Sequence, residues 1–175
     1  MRGTVHARAG PRFLPATVLL GDVYDPILVP VDGSEAAERA AAEAFMLARE
    51  TDATVHLIYV LDESASTLLF SSESMATRFD RLREEAGGFL DDLAANAGGL
   101  PVETAVVRGM GVYRGIVNYA EDQGVGLVVM GTRGRHGPAG ILGNTSERVA
   151  SHTDVPVLLV SPPEEDDRGD GDEES

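Results

Sequence analysis

Short apolar runs alternate with longer segments of helical periodicity from residue 26 onward. The runs are rich in aliphatic and β-branched residues, which is typical of strands buried on both faces of a sheet. The predicted strands cover residues 27–31, 55–61, 102–107, 127–130 and 155–160, and the predicted helices cover residues 34–50, 75–93, 112–121 and 144–151. Ser34 is placed as the N-cap of the first helix. Such alternation is typical of βαβ crossovers, so we expect a doubly wound α/β sheet with parallel strands.

The two ends of the chain differ in composition from this regular part. Residues 1–22 show no periodicity and carry three arginines and no acid before Asp22. They are interpreted either as a disordered extension or as the product of an over-extended gene model. Residues 162–175 begin with two prolines and contain eight acids, which is typical of a disordered, solvating tail. We therefore expect one folded domain over residues 23–161.

The charge balance restricts the partners of this chain. Its net charge is −15, and all 14 basic residues are arginine. An acidic surface without lysine suits a halophile's cytoplasm, where molar salt shortens screening to roughly 3 Å, although a codon bias plus an acidic tail would give a similar composition. Nucleic acid and anionic membranes are not expected as partners, because phosphate backbones require a basic face. No apolar run approaches the roughly 20 residues of a membrane span, so a cytoplasmic protein is expected.

A glycine-marked loop joins the fourth strand to the last helix. It contains Gly131, Arg133 and Gly134, and it ends at Gly143 before Asn144 and Thr145. Glycine lets backbone amides approach a ligand closely, and amides at a helix N-terminus bind anions. Arg133 and Arg135 add guanidinium groups that pair with phosphate, although they would equally serve as exposed loop residues. The loop therefore predicts an anion site, with simple turn glycines as the alternative.

Two polar residues near this loop have both structural and functional interpretations. Asn144 stands three residues before Glu147, the spacing of a capping box, so we expect Asn144 to cap the last helix. Asp32 follows the first strand and is either a turn residue before Gly33 or a group that accepts from a ribose or an adenine amine. In a parallel sheet the loops after strands one and four are expected to share one crevice, which would bring Asp32 close to Gly131.

Catalytic and metal-binding patterns are not evident in the sequence. The chain has no cysteine, which excludes disulfides and thiolate ligands, and its four histidines show no spacing typical of a metal site or a triad. We interpret these histidines as structural or exposed. No candidate general base accompanies the glycine loop, so a non-enzymatic function is expected, with at most very weak hydrolysis of a phosphate ligand.

Several segments together resemble the universal stress protein family. They are Ile27-Leu-Val-Pro-Val-Asp-Gly-Ser-Glu35, Leu57-Ile-Tyr-Val-Leu-Asp62, Val129-Met-Gly-Thr-Arg-Gly-Arg135 with Gly143, Glu147-Arg-Val149, and Val155-Pro-Val-Leu-Leu-Val160. The resemblance covers residues 26–161. It implies an open sheet of five parallel strands in the order 3-2-1-4-5, with helices on both faces. It also implies a homodimer formed through the last strand, residues 155–160.

The same resemblance implies binding of ATP, accompanied by Mg²⁺ or Mn²⁺. By resemblance, the phosphates would be enclosed by Gly131, Arg133, Gly134, Gly143, Asn144 and Thr145, and the adenine and ribose by Pro30, Val31, Asp32, Val60 and Met130. The chain departs from the family pattern in two places. The spacer before Gly143 has eight residues rather than nine, and Asn144 stands where the family has Ser or Thr.

Three functions follow from these observations. The first is a stress-response domain that binds ATP or a related adenine nucleotide as a regulatory ligand. The second, favoured by the short spacer, is a nucleotide-free dimeric interaction module. The third is an adenine-nucleotide α-hydrolase, for which the chain retains only Asp32-Gly33-Ser34 of the expected loop.

Overall fold

A computed structural model of the chain describes residues 23–64, 75–132 and 143–161. The elements in these ranges are β1 (Ile27–Pro30), α1 (Glu35–Thr51), β2 (Val55–Asp62), α2 (Met75–Ala95), β3 (Val102–Gly109), α3 (Val112–Asp122), β4 (Leu127–Gly131), α4 (Asn144–His152) and β5 (Val157–Val160). The predicted extension, residues 1–22, and the predicted acidic tail, residues 162–175, lie outside the described residues.

The five strands form one parallel sheet in the order β3-β2-β1-β4-β5, which confirms the predicted fold class. Ile27 pairs with Val55 on one side and Leu127 on the other, so β1 occupies the centre. The chain therefore winds outward in one direction through β2 and β3, and in the other through β4 and β5. Ligands of such sheets bind at the carboxyl ends of the strands, near this change of direction.

The helices cover both faces of the sheet. On one face, α1 and α2 pack against a cluster that contains Val29, Val55 and Leu57. On the other face, α3 and α4 pack against Leu28 and Ile58. α1 presents six buried alanines to the sheet, at positions 36, 37, 40, 41, 44 and 48. Small side chains let this helix approach the strands closely, which becomes important at Gly131.

All five strands differ from the prediction by one or two residues at one end. β1 ends at Pro30 and β4 at Gly131, and β2 and β3 are longer than expected, with Asp62 and Gly109 as their last pair at the carboxyl end of the sheet. β5 begins at Val157 rather than at residue 155. The Val155 amide donates to the Thr153 hydroxyl at 3.1 Å, and Pro156 has no N–H to give to a ladder.

His56 is a core residue, as the sequence predicts for a structural histidine. Its side chain is buried beneath α3, with Nδ1 3.2 Å from the Tyr119 hydroxyl and Nε2 3.5 Å from a Glu103 oxygen. Burial and the nearby Glu103 carboxylate raise the pKa of Tyr119.

Within the described ranges, no helix combines the length and the apolar character that crossing a membrane requires.

Candidate functional site

The end of β4 is joined to the start of α4 by two hydrogen bonds. The Ser146 hydroxyl donates to the Gly131 carbonyl at 2.8 Å, and the Gly143 amide donates to the Thr132 carbonyl at 2.6 Å. Ser146 is only 3% exposed, so its bond is protected from water. These contacts position the first turn of α4 at the carboxyl edge of the sheet. Arg133, Gly134 and Arg135, which were predicted to complete this loop, lie outside the described residues.

The prediction that Asn144 caps α4 is wrong. Gly143 is the N-cap, with φ −67° and ψ 146°, and as a glycine it has no side chain with which to make a capping hydrogen bond. Asn144 is already the first helical residue, so its side chain no longer has the extended backbone from which a cap reaches back. The Gly143 carbonyl accepts from the Glu147 amide at 3.0 Å, the first helical bond. The Asn144 side chain is exposed and that of Thr145 is half-buried at this helix end.

Gly131 is required by packing between elements. A Cβ added to it would lie 2.8 Å from the Ala36 Cβ and 2.9 Å from the Ala36 carbonyl carbon. Gly131 is the last residue of β4 and is not at positive φ, so it serves close helix packing rather than a turn. Gly131 thus lies against the first turn of α1, and on this side of Gly131 the space is filled by Ala36.

Asp32 stabilises the turn after β1. Its Oδ1 accepts from the Ser34 amide at 3.0 Å, and the Ser34 hydroxyl in turn accepts from the Ala37 amide at 3.2 Å. Ser34 is therefore the N-cap of α1, as predicted. The structural interpretation of Asp32 as a turn residue is observed directly, and Asp32 has a further interaction beyond this bond.

The residues expected to line the adenine and ribose pocket are divided between the two faces of the sheet. Val31 is 5% exposed and belongs to the cluster beneath α1 and α2. Val60 and Met130 belong to the cluster beneath α3 and α4. Pro30 is buried at the end of β1, where it pairs with Ile58. The structure therefore brings Val60 and Met130 together on one face, but places Val31 on the opposite face.

An open cleft of about 310 Å³ lies on the α3 and α4 side of the sheet's carboxyl edge. Its lining residues come from the end of β2, the β3–α3 connection and the first turns of α3 and α4: Asp62, Ser64, Met110, Gly111, Val112, Tyr113, Arg114, Asn144, Thr145 and Arg148. Asn144 and Thr145 are the only members of this lining that the sequence assigned to a site. Val60 lies beneath this region, because a Cβ on Gly115 of α3 would be 2.6 Å from Val60 Cγ1.

Asp62 shapes one part of this cleft and was not predicted as a site residue. Its Oδ1 accepts from the Ser64 amide at 2.9 Å, from the Ser64 hydroxyl at 2.6 Å and from the Gly111 amide at 3.1 Å. Gly111 is the N-cap of α3 and has φ 105°, a conformation that favours glycine. The Asp62 carboxylate thereby fixes the start of α3 relative to β2. The available signal was its place at the end of a motif that resembles the family.

Three further residues that were not assigned to the site form a cationic cluster around an aromatic ring. Arg114 Nε donates to the Tyr113 hydroxyl at 2.9 Å, and Arg148 Cζ lies 3.8 Å from the centroid of the Tyr113 ring. The hydrogen bond from Arg114 is the main cause that lowers the pKa of Tyr113, with the Arg148 charge acting in the same direction. Tyr113 and Arg148 stand 35 positions apart in the sequence, so no local pattern could reveal this contact between α3 and α4.

The described residues contain no group of three or more His, Asp or Glu side chains that could hold a metal ion. The cleft instead combines hydroxyl, amide and guanidinium donors with the carboxylate of Asp62 and the apolar side chain of Met110. Met110 is 63% exposed, which is unusual for a large apolar side chain. These groups suit a ligand with an anionic part and an apolar part.

Comparison with known proteins identifies the class to which this fold and site belong. The model of the Universal stress protein family matches residues 23–161. The chain is 34% identical to Universal stress protein MJ0531 from Methanocaldococcus jannaschii over 148 residues, covering 83% of this chain and 86% of that relative. The chain therefore belongs to the universal stress protein family.

Solved structures agree with this assignment. Hypothetical protein MJ0577 matches with a TM-score of 0.70 and 30% identity, covering 81% of this chain and 98% of that chain. A universal stress protein in complex with cAMP matches with a TM-score of 0.57 and 25% identity, covering 81% of this chain and 99% of that chain. The likeness thus spans nearly the whole of each solved structure.

Proposed function

We propose that this protein binds ATP or a related adenine nucleotide as a regulatory ligand in the cleft between the β2 and β3 ends and the first turns of α3 and α4. The observation that carries this proposal is the open cleft itself, where the start of α4, with Asn144 and Thr145, meets Arg114 and Arg148. Cationic side chains at the carboxyl edge of a parallel sheet suit a phosphorylated ligand. The cAMP complex of a family member supports an adenine nucleotide as the ligand class.

The residues predicted by resemblance contribute unequally to this proposal. Gly143, Asn144 and Thr145 would face the phosphates, and Val60 and Met130 would form the apolar floor on the same side of the sheet. Pro30, Val31, Asp32 and Gly131 would act mainly by holding the ends of β1 and β4 in place. Arg133 and Gly134 remain proposed phosphate ligands. Mg²⁺ or Mn²⁺ would be bound mainly by the nucleotide's own phosphates, since the described residues offer no cluster of ligands for it.

We further propose that the bound nucleotide is not turned over at a useful rate. A general base must reach the attacking water with a free acceptor atom. We assign Asp62, the carboxylate among the lining residues, to holding the β3–α3 connection through the three hydrogen bonds that its Oδ1 accepts, rather than to activating a water. Phosphate release from ATP by the purified protein should therefore stay near the uncatalysed background.

The nucleotide proposal is tested by a charge change that should separate binding from stability. Asn144→Asp places a carboxylate in the first turn of α4, which favours the helix but repels phosphate in the cleft. Isothermal titration with ATP, AMP and cAMP should give heat with the wild-type protein and at least about tenfold weaker binding with Asn144→Asp. Ser151→Asp, at the other end of the same helix, is the matched control and should bind normally. No heat with any nucleotide would contradict the proposal.

Dimerisation through β5 is proposed as part of the same function. β5 is a terminal strand of the sheet, and its Leu158 side chain is 40% exposed. An exposed aliphatic residue on an edge strand favours pairing with a second copy. Light scattering should give twice the monomer mass for the wild-type protein, and Leu158→Glu should shift it toward the monomer. A monomeric wild-type protein would contradict this part.

A nucleotide-free interaction module is the second candidate, and one observation favours it. The close contact between Gly131 and Ala36 explains the first loop glycine without any ligand. If the protein is such a module, Asn144→Asp should leave both partner capture and the stress phenotype unchanged.

The acidic composition also leads us to propose a cytoplasm of high salt as the setting of this protein. The test is whether its stability increases with KCl concentration.

A further inference from the structure

The cationic cluster of Tyr113, Arg114 and Arg148 is unusual in its charge balance. The chain carries a net charge of −15, yet no carboxylate of the described residues forms an ion pair with Arg114 or Arg148. Arg114 also lies in the first turn of α3, where no acidic residue accompanies it and where the helix dipole disfavours positive charge. The Arg114 guanidinium is thus placed against the preference of the helix dipole, which indicates a use for it beyond stability.

The Tyr113 side chain contacts both guanidinium groups, which are exposed on α3 and α4. Arg114 is held by the 2.9 Å bond from its Nε to the Tyr113 hydroxyl, with its Cζ 5.7 Å from the ring centroid. Arg148 is stacked over the ring with its Cζ at 3.8 Å. A stacked or singly bonded guanidinium keeps other N–H donors available for an anion.

The neighbouring charged groups leave room for an anion beside these arginines. His152 packs against Tyr113 with ring centroids 5.3 Å apart, and Asn144 and Thr145 provide neutral polar groups in the same cleft. Asp62 is the carboxylate among the lining residues, and its Oδ1 is occupied by Ser64 and Gly111. Glu147 is exposed in the first turn of α4 but is not part of the lining.

We propose that Arg114 and Arg148, held by Tyr113, together bind a chain of two or more phosphates and so make this cleft prefer di- and triphosphates over monophosphates. The inference rests on the proposed nucleotide function and adds to it which part of the ligand the cleft recognises. Each guanidinium binds one phosphate through paired N–H donors. Two guanidinium groups therefore increase the affinity for ligands with a second phosphate, which AMP and cAMP lack. The shared chemistry is the phosphate chain, carried by ATP, ADP or inorganic tripolyphosphate.

The experiment compares these ligands on full-length variants by isothermal titration. Arg114→Gln and Arg148→Gln should each weaken ATP binding about tenfold, and the double variant about a hundredfold, because each loses a charge-assisted contact. Adenosine binding should change less than about threefold in both variants, and AMP, whose single phosphate contacts one guanidinium, should lose affinity in at most one of them. Arg83→Gln, an equal charge change on exposed α2 across the sheet, is the matched control and should bind ATP as the wild-type protein does.

Two additional measurements keep the inference separable from folding and from the proposed function. Circular dichroism should show unchanged helix content in every variant. In the wild-type protein, a bound phosphate chain should also move the ionisation of Tyr113 to higher pH, because it neutralises the guanidinium groups; Tyr113→Phe identifies that signal. Tripolyphosphate binding that depends on both arginines supports the inference. It would also show that the phosphates are recognised without adenine.

The contrary outcomes are equally distinct. If the wild-type protein binds ATP and both arginine variants bind it equally well, the arginine inference is overturned while the proposed function survives. If AMP binds as tightly as ATP, the preference for a phosphate chain is overturned. If neither ATP nor tripolyphosphate binds the wild-type protein, the arginine inference is overturned, and the proposed function is overturned with it only if AMP and cAMP also fail to bind.

Discussion

Gly131 and Ala36 are packed so closely that a Cβ on Gly131 would lie 2.8 Å from the Cβ of Ala36. The contact joins the end of β4 to the first turn of α1, next to the turn that contains Asp32. A substitution at Gly131 therefore displaces the helix whether or not the loop beyond it binds a ligand. Loss of function in a Gly131 variant does not by itself demonstrate a phosphate contact.

Gly131→Ala is expected to lower the free energy of unfolding by about 1–3 kcal/mol, because overpacking forces α1 or β4 to shift. Urea denaturation of the variant measures this change. Adding Ala36→Gly should recover part of the loss, since it removes the nearest atom but leaves the Ala36 backbone in place. A Gly131→Ala protein as stable as the wild type would contradict the packing explanation.

Glycines in two helices should respond to alanine in opposite directions. Gly87 and Gly88 lie within α2 with open space where a Cβ would be, so Gly88→Ala should stabilise the protein by about 0.5–1 kcal/mol. Gly115→Ala in α3 should destabilise it, because the new Cβ would meet Val60 Cγ1 at 2.6 Å. Thermal unfolding of the two variants is the measurement, and a shift of the same sign in both would oppose this explanation.

The Ser146 hydroxyl should contribute more to the free energy of unfolding than the Ser151 hydroxyl on the same helix. Both donate to a backbone carbonyl at 2.8 Å, but Ser146 reaches the buried end of β4 whereas Ser151 is exposed and bonds within α4. Ser146→Ala should cost about 1–2 kcal/mol, since the Gly131 carbonyl loses its donor in a buried setting. Ser151→Ala should stay within about 0.5 kcal/mol of the wild type. Equal losses of stability for the two variants in chemical denaturation would contradict this role of the Ser146–Gly131 hydrogen bond.

Tyr113 should ionise at a lower pH than an ordinary tyrosine, whose pKa is 10.0, because the Arg114 hydrogen bond favours the phenolate. Near-ultraviolet absorbance during an alkaline titration, compared with Tyr113→Phe, measures this midpoint. Arg114→Gln should raise it. Because the folded-state pKa lies below the unfolded value, the interaction stabilises the fold only as the pH rises through that pKa, so stability at neutral pH should not change by this route. A midpoint unaffected by Arg114→Gln would exclude the hydrogen bond as its cause.

The fold could be predicted from the sequence because each element has a distinct local pattern. The aliphatic run at Ile27 and the alanine periodicity of α1 follow directly from burial on both faces and from one helical face. The strand order came from resemblance, since periodicity alone does not say which strands are neighbours. The start of β5 was misplaced because Pro156 and the Thr153 side chain act against an apolar run that otherwise favours a strand.

The site was less predictable because its members are brought together by tertiary structure. Local spacing suggested that Asn144 is a cap, but the extended backbone lies at Gly143 instead. The sequence does not show that Val31 and Val60 lie on opposite faces of the sheet. Strands buried on both faces lack the alternation of apolar and polar residues that would distinguish one face from the other. Arg148 reaches Tyr113 from another helix. A basic residue in the first turn of α3 was the one local signal that could have indicated Arg114.

The central claim is that an adenine nucleotide occupies the cleft between the β2 and β3 ends and the starts of α3 and α4. Amide chemical-shift mapping by NMR during titration with ATP tests it most directly. The account predicts the largest shifts at Gly111, Asn144, Thr145 and Arg148, with little change along the exposed surface of α2. ATP-induced shifts confined to other surfaces, or no shifts at saturating ATP, would contradict it.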